Sequence, residues 1–232
     1  MDTINNIIQT YNSIVKGIDT DASVQTDRAY GGVIRSEKGK LQEYITEAII
    51  RLAWHDLGGA DSRIEINSKK IHIPIQERYI QHIESEEVRK HIGDKIDDYF
   101  YGLSVDKHIF IDHKLVMGIE CKAYTENAMI KRILVDFHLL KTKYPNISCY
   151  LFQLESQLGG DYSSLPEIVY GSISTHSIMS YFENVKLNIF TFLKGERDVS
   201  KPIHKFFKPL EESIIKKAVE LLKGDLIKYL KT

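Results

Sequence analysis

The segment from residue 105 to residue 122 constrains the fold of this chain more than any other part of the sequence. Two apolar runs, residues 105–111 and 115–122, have the character of β-strands and flank a polar stretch that begins with the turn-forming Asp112. Strands joined by so short a connection lie side by side in an antiparallel arrangement. The sequence therefore predicts a β-hairpin, against which the rest of the chain has to pack.

Charged residues stand at the open end of this predicted hairpin. Alternate residues of a strand share a face, so Glu120 and Lys122 point the same way while Cys121 faces a core on the other side. Asp106 opens the preceding strand, and the turn brings it back beside Glu120. Because unpartnered charges are costly to bury, the sequence predicts that Asp106, Glu120 and Lys122 meet at one point.

Two converging carboxylates and a lysine are suited to a particular chemistry. Mg²⁺ is typically held by one or two carboxylates together with water and substrate phosphate. A lysine beside it can orient or deprotonate an attacking water and stabilise the charge that develops on phosphorus. The pattern therefore predicts metal-assisted hydrolysis of a phosphodiester. The alternative interpretation is a surface hairpin with a cross-strand ion pair, because an isolated Glu-X-Lys is common on strands.

The periodicity of apolar residues predicts further elements around the hairpin. Helices are predicted at residues 3–16, 40–55, 125–144 and 209–231, and a charged helical segment at 77–100, broken or bent near Gly93. A second hairpin is predicted at 63–74, a buried strand at 147–155 and another strand at 187–193. A loop is predicted at residues 18–40, and residues 166–186 fit no pattern. This order predicts one domain of the α/β or α+β class, with a sheet flanked by helices.

The composition argues against several classes of protein. No apolar run is long enough to cross a bilayer, and the N-terminal residues lack the basic and apolar regions of a signal peptide. Cys121 and Cys149 lie far apart, which argues against a disulfide framework or a zinc cluster and suits a reducing cytoplasm. The net charge of −1 counts mildly against a nucleic-acid-binding protein. Local clusters of charge matter more than the sum, so we still allow for such a partner.

At these residues the chain resembles the PD-(D/E)XK nuclease superfamily, and type II restriction endonucleases in particular. Glu120-Cys121-Lys122 matches the (D/E)-X-K element, and Asp106 matches the leading aspartate. The chain departs from the pattern at Val105, where the family has a proline. The resemblance implies a restriction-endonuclease-like fold, in which a mixed central sheet is flanked by helices and the hairpin is followed by a helix and a further strand.

The resemblance leaves a choice of residue at two places. Asp112 competes with Asp106 for the leading aspartate, and we favour Asp106 because Asp112 falls in the predicted turn, where its side chain can bond its own backbone. Upstream, Gly39-Lys40-Leu41-Gln42-Glu43 is similar to a segment of many type II restriction enzymes, in which a glutamate on a helix faces the metal site. Glu43 matches that glutamate best, and Glu47 is the alternative.

The resemblance implies a complete site and a substrate. Asp106 and Glu120 would bind Mg²⁺ together with the carbonyl oxygen of Cys121, Lys122 would act on the attacking water, and Glu43 would be an accessory ligand. The substrate would be double-stranded DNA, cut to a 5′-phosphate and a 3′-hydroxyl by a homodimer whose two-fold symmetry matches a palindromic site. Residues 1–232 would form one nuclease domain with its catalytic core at roughly 35–155, leaving the terminal segments for dimerisation and DNA recognition.

Other functions remain open on the sequence alone. A structure-selective repair or recombination nuclease, a DNA-binding module without catalysis, and a structural α/β protein are the alternatives. Basic residues upstream of the core would either contact DNA phosphates or form a solvated loop; they are Arg28, Arg35, Lys38 and Lys40. Residues 156–184 and the N-terminal loop are candidates for base recognition.

Overall fold

In a computed structural model of the protein, the predicted hairpin lies within a mixed central sheet that has helices on both faces. The structure describes residues 3–22, 27–165, 167–203 and 205–230, and it describes residues 18–22 and 27–35 by their backbone alone. The expected architecture, a mixed central sheet flanked by helices, is therefore confirmed.

The strands form two sheets. Within the described residues they are β1 (Ile64–Asn67), β2 (Ile71–Pro74), β3 (Phe100–Leu103), β4 (Lys107–Ile111), β5 (Lys114–Thr125), β6 (Ser148–Ser156) and β7 (Leu187–Thr191). The central sheet has the order β1, β4, β5, β6, β7, and β2 pairs with β3 in a separate small sheet. Pairing is antiparallel from β1 to β5 and parallel from β5 to β7. β5, which carries Glu120 and Lys122, is thus the strand at which the pairing changes from antiparallel to parallel.

The helices divide between the faces of the central sheet. In the described residues they are α1 (Ile4–Ala22), α2 (Asp27–Asp56), α3 (Glu77–Gln81), α4 (Glu86–Gly93), α5 (Asn127–Lys143), α6 (Ile173–Met179) and α7 (Glu212–Leu226). α1, α2 and α7 share a core with one face of the sheet, and α5 shares a second core with the other. No helix among the described residues is long and apolar enough to span a bilayer.

Gly118 allows α5 to approach β5 closely. A Cβ atom at this position would lie 2.9 Å from Cε1 of the buried Phe137 and 3.3 Å from Cγ2 of Val105. Because side chains alternate along a strand, Glu120 and Lys122 lie on this same face. The helix that follows the hairpin is therefore packed against the face of β5 that carries the charged residues.

The connection between β4 and β5 is a tight turn. Asp112 and His113 both have positive φ, at 49° and 64°. Positive φ at both central residues is the requirement of the two-residue turns that suit the twist of a hairpin. Arg63 holds the Asp112 carboxylate through Nε to Oδ1 at 3.0 Å and Nη2 to Oδ2 at 2.6 Å. Asp112 is therefore a turn residue, as its position in the sequence predicted.

The prediction of a loop at residues 18–40 is wrong. α1 continues to Ala22 and α2 begins at Asp27, while residues 23–26 lie outside the described residues. The glycines and charges of this stretch disfavour a helix, but propensity is a weak guide where packing holds the next turns in place. From Leu41 onward the inner side of α2 is buried in the core, and the helix extends back from that anchored part.

The predicted hairpin at residues 63–74 does not form. The first run, β1, pairs with β4 of the central sheet, whereas the second run, β2, pairs with β3. β3 itself was not predicted, because residues 77–100 show mainly the pattern of a charged helix. They form α3 and α4, and α4 ends at Gly93, close to the predicted bend. β1 and β2 thus each pair with a strand that is distant in sequence, and the alternation of apolar residues within a strand does not predict which partner it has.

Candidate active site

The register of the hairpin places Asp106 beside the end of β5. Lys107 is paired with Ile119 in the antiparallel ladder, so Asp106, one residue earlier, continues the ladder next to Glu120. On the other side of β5, Glu120 is paired with Leu151 and Lys122 with Gln153 of β6. The charged residues therefore stand where β4 has just begun and where β5 continues beyond its antiparallel partner.

The side chains of Asp106, Glu120 and Lys122 meet as the sequence predicts. Lys122 Nζ donates to Asp106 Oδ2 at 2.8 Å, to the Glu120 carboxylate, and to the carbonyl oxygen of Cys121 at 3.2 Å. Asp106 Oδ2 also accepts the backbone N–H of Cys121 at 2.7 Å. The ammonium group is thus surrounded by oxygens from Asp106, Glu120 and the main chain.

Burial determines the electrostatics of this cluster. The Glu120 side chain is only 8% exposed. Its burial raises its pKa to about 7, an effect to which Asp106 adds and which Lys122 opposes. Burial acts to lower the pKa of Lys122, but the charges of Glu120 and Asp106 outweigh it, so this pKa is raised. The charge of Lys122 is therefore stabilised by its two carboxylate neighbours, whereas burial and Asp106 together disfavour the charged form of Glu120.

The oxygens around Lys122 Nζ suit a hard divalent cation. Mg²⁺ binds oxygen ligands and retains several waters, so one or two carboxylates can be enough for it. Among the described residues, no three His, Cys, Asp or Glu side chains converge on one point as a metal-binding group. Asp106, Glu120 and the Cys121 carbonyl already surround a cation, the ammonium of Lys122. Their donor chemistry fits Mg²⁺ bound with water ligands.

Glu43 lies apart from this cluster. α2 packs on the opposite face of β5, where the Cys121 thiol donates to Thr46 Oγ1 at 3.3 Å. Lys107 Nζ lies 3.9 Å from Glu43 Oε2 and 3.0 Å from Glu47 Oε2. Glu43 and Glu47 therefore both face Lys107, and neither of them contacts Asp106, Glu120 or Lys122.

Asp136 of α5 was missed in the sequence. Its side chain is mostly buried; burial raises its pKa, while Arg132 and Lys122 act to lower it. The field of Lys122 therefore reaches a further carboxyl group from the α5 side. Nothing in the spacing of Asp136 indicates this, because its neighbour Arg132 makes it look like half of an ordinary helical ion pair.

His108 of β4 and the basic residues upstream of the core have varied surroundings. His108 is buried, and its Nε2 accepts the backbone N–H of Val105 at 3.3 Å, which is a structural role. Lys40 is exposed and pairs with Glu37 at 3.4 Å. The side chains of Arg28 and Arg35 lie outside the described residues, and their backbone is helical rather than a loop.

The chain is similar over nearly its whole length to a known enzyme. It is 54% identical over 226 residues to the type II restriction enzyme DdeI of Desulfomicrobium norvegicum, and the match covers 95% of this chain and 94% of that enzyme. No protein-family model matches the chain. No solved structure matches it either. The similarity extends over nearly the whole chain and therefore includes both the hairpin and the elements around it.

We predict strong energetic coupling between Glu120 and Lys122 in metal-free protein. Removing Lys122 leaves the buried Glu120 beside Asp106 without its counter-charge, and a partner removed from a buried pair is costly. A double-mutant cycle of Glu120→Gln and Lys122→Met, measured by urea unfolding in EDTA, should give a coupling energy of about 1–3 kcal/mol.

The exposed pair Glu212 and Lys216 on α7 is the control for this cycle. Its atoms approach to 2.7 Å, yet both side chains are more than half exposed. Exposed helical pairs couple by only about 0.3–0.5 kcal/mol. A coupling at Glu120 and Lys122 no larger than that of the control pair would contradict the buried cluster.

Proposed function

Because this chain belongs to the type II restriction enzymes, which cut double-stranded DNA at specific sites, we propose that Asp106, Glu120 and Lys122 form its cleavage centre. The observation that carries the proposal is the convergence of Asp106, Glu120 and the Cys121 carbonyl on Lys122 Nζ. This cluster lies at the end of β5, where the sheet turns from antiparallel to parallel and the ladder with β4 has ended.

The residues of the cluster have separate roles in this proposal. Asp106, Glu120 and the carbonyl oxygen of Cys121 would hold Mg²⁺, which when bound supplies positive charge to the scissile phosphate and lowers the pKa of a bound water. Lys122 Nζ would orient the attacking water and stabilise the charge that develops on the phosphate oxygens. The buried carboxylate of Glu120 accepts a hydrogen bond from Lys122 Nζ and would so hold the ammonium group in place.

The bond changes follow from the expected products. The oxygen of the attacking water bonds to phosphorus, the bond between phosphorus and the 3′-oxygen breaks, and that oxygen gains a proton. The products are a 5′-phosphate and a 3′-hydroxyl.

A homodimer would present one such centre to each strand, with a two-fold axis matching a palindromic site. Elements outside residues 35–155 would supply the dimer contacts and base recognition, and the buried, unpaired Cys121 and Cys149 suit the cytoplasm.

Digestion of phage DNA by the pure protein, with Mg²⁺ or with EDTA, tests the function directly. Discrete fragments that require Mg²⁺ are expected, and their ends allow the recognition site to be mapped. A smear would indicate a nuclease without site specificity or one that reads DNA structure. DNA that stays intact with Mg²⁺ but is still bound in a gel-shift assay would indicate a DNA-binding protein without catalysis.

We predict that Lys122→Ala loses cleavage but keeps DNA binding. The substitution removes the group placed to act on water and phosphate, an effect of about 10²–10⁴-fold on the rate. Binding of a duplex with the mapped site should change by no more than a few-fold, because phosphate contacts elsewhere dominate affinity. Lys114→Ala is the matched control, since Lys114 lies exposed at the far end of the same strand. Undiminished cleavage by Lys122→Ala would refute the proposed mechanism.

We predict opposite outcomes for two aspartates of the hairpin. Asp106→Asn should be inactive, because it replaces the carboxylate that contacts Lys122 Nζ with a neutral amide. Asp112→Asn should cleave normally, because Asp112 serves the turn through Arg63 and asparagine tolerates positive φ. Mg²⁺-dependent cleavage rates of both variants provide the measurement. Activity in the first variant and loss in the second would assign the leading aspartate to Asp112.

We propose Glu43 as the accessory acid, and this too can be tested. Glu47 is held by both Lys107 and Arg51 at 3.0 Å, whereas Glu43 is 48% exposed and its nearest cation lies 3.9 Å away. Glu43 is thus the freer of the two to hold a water ligand. Glu43→Gln should slow cleavage by about 10–100-fold and raise the Mg²⁺ concentration required. Glu47→Gln should have the smaller effect on rate, and the reverse order would make Glu47 the accessory acid.

A further inference from the structure

Arg197 is held in a defined position near the end of β5. Its guanidinium carbon lies 3.6 Å from the centroid of the Tyr124 ring, and Nη1 donates to Gln157 Oε1 at 2.7 Å. The backbone N–H of Arg197 donates to the carbonyl oxygen of Ser156 at 2.8 Å, which ties this segment to the end of β6. Stacking and hydrogen bonding therefore fix the guanidinium before any ligand arrives.

This arginine lacks a carboxylate partner. Arg51, Arg63 and Arg132 each pair with an acid, whereas Arg197 makes no ion pair with any described residue. Arg78 and Arg89 also lack one, but they are exposed, while Arg197 is partly buried. A partly buried charge without a counter-charge is unfavourable. The guanidinium therefore presents N–H donors and a positive charge that the described part of the chain does not use.

The surroundings of Arg197 carry further positive charge. Burial lowers the pKa of Lys38 of α2; Glu155 acts to raise it, and Arg197 lowers it further, so the two cations lie within each other's field. The carboxylate of Glu155 is itself buried and paired with Lys208 at 3.0 Å. Lys38, Arg197 and Lys208 thus stand around the single acid Glu155, while of the two acids that flank Arg197 in the chain, Glu196 and Asp198, the latter pairs with Lys201 at 3.6 Å.

The position of Arg197 relative to the proposed centre follows from β5. Tyr124 lies two residues after Lys122, and alternate residues share a face of the strand. Each residue advances a strand by about 3.3 Å, so Tyr124 stands about 7 Å beyond Lys122. The phosphates of one DNA strand follow one another every ~3.4 Å along the helix axis. The guanidinium is therefore stacked on a strand position that lies about two axial phosphate steps beyond that of Lys122.

We propose that Arg197 binds a backbone phosphate of the cleaved DNA strand within about two nucleotides of the scissile bond, with Tyr124 and Gln157 as its positioning residues. The planar guanidinium matches phosphate oxygens through paired hydrogen bonds, which a lysine does not reproduce. Such a contact would set the register of the strand over Lys122 without reading the base sequence. The placement beside the scissile bond rests on the cleavage centre proposed above, whereas the phosphate contact itself does not.

Equilibrium binding of a duplex with the mapped site tests the contact. In this binding assay Ca²⁺ replaces Mg²⁺, because Ca²⁺ also takes oxygen ligands. The affinity is measured at several salt concentrations. Arg197→Ala should bind about tenfold more weakly. Its plot of log affinity against log salt should be shallower by about 0.9, the value for one lost phosphate contact. Lys216→Ala, which removes an exposed charge on α7, should change neither quantity.

Neutral methylphosphonate linkages, placed one at a time near the cut, identify the phosphate concerned. The unmodified protein should lose affinity at one position within about two nucleotides of the cut, and Arg197→Ala should lose nothing further at that same position. A profile that is identical for both proteins would overturn the contact. A sensitive position farther along the strand would overturn its placement beside the scissile bond.

Two further variants separate this role from a merely structural one. Tyr124→Phe keeps the ring and should retain the methylphosphonate profile, whereas Tyr124→Leu should weaken the sensitivity. Arg197→Lys keeps the charge and should recover the salt dependence of binding but not the full affinity. This variant replaces Arg197→Ala in the test if Arg197→Ala does not fold. Normal cleavage by Lys122→Ala would refute the proposed centre without altering the Arg197 profile, so the two failures are distinguishable.

Discussion

The contact of Lys122 with Asp106 and Glu120 joins the start of β4 to β5 and sets the geometry of the candidate site. A glutamate that is 8% exposed at the end of a sheet is unfavourable unless a cation stands beside it. Lys122 supplies that cation from the same strand, two residues away, so the pair needs only the extended geometry of β5 to form. Asp106 completes the cluster only if β4 returns in the observed register. The tight turn at Asp112 and His113 therefore supports the site by setting this register, although it lies at the opposite end of the hairpin.

The change of direction in the sheet explains why the cluster is accessible. β4 ends its pairing with β5 near Lys107 and Ile119, while β5 continues to Thr125 alongside β6 alone. Beyond that point, toward the carboxyl end of β5, no described strand pairs with β5 on the β4 side, and the side chains of Asp106 and Lys122 are 31% and 29% exposed. Ligand sites of α/β sheets commonly occupy this position. α5 and α2 cover the two faces of β5; Asp136 of α5 lies within the field of Lys122, whereas Glu43 of α2 faces Lys107 and does not contact the cluster.

Local patterns in the sequence were enough to predict the hairpin, the helix and strand after it, and the meeting of Asp106, Glu120 and Lys122, because these depend on alternation and on one short turn. Predictions failed where a partner distant in sequence decides the structure. β1 and β2 look like a hairpin yet join different sheets, and the stretch before Leu41 looks like a loop yet extends a packed helix. Arg197 shows the same limit, since its stacking on Tyr124 joins segments far apart in the chain.

A net charge of −1 does not conflict with DNA cleavage once the pairing of the charges is considered. The acids nearest the cluster each have a cation at close range: Glu120 and Asp106 share Lys122, and Glu47 contacts Lys107 and Arg51. Matched pairs contribute little field at the distance of an approaching phosphate, because fields of opposite sign cancel and salt screens the remainder. An unmatched cation such as Arg197 is not cancelled in this way. The potential that DNA meets at this edge therefore depends on cations such as Arg197, which has no ion pair with a described residue, and not only on the sum over the chain.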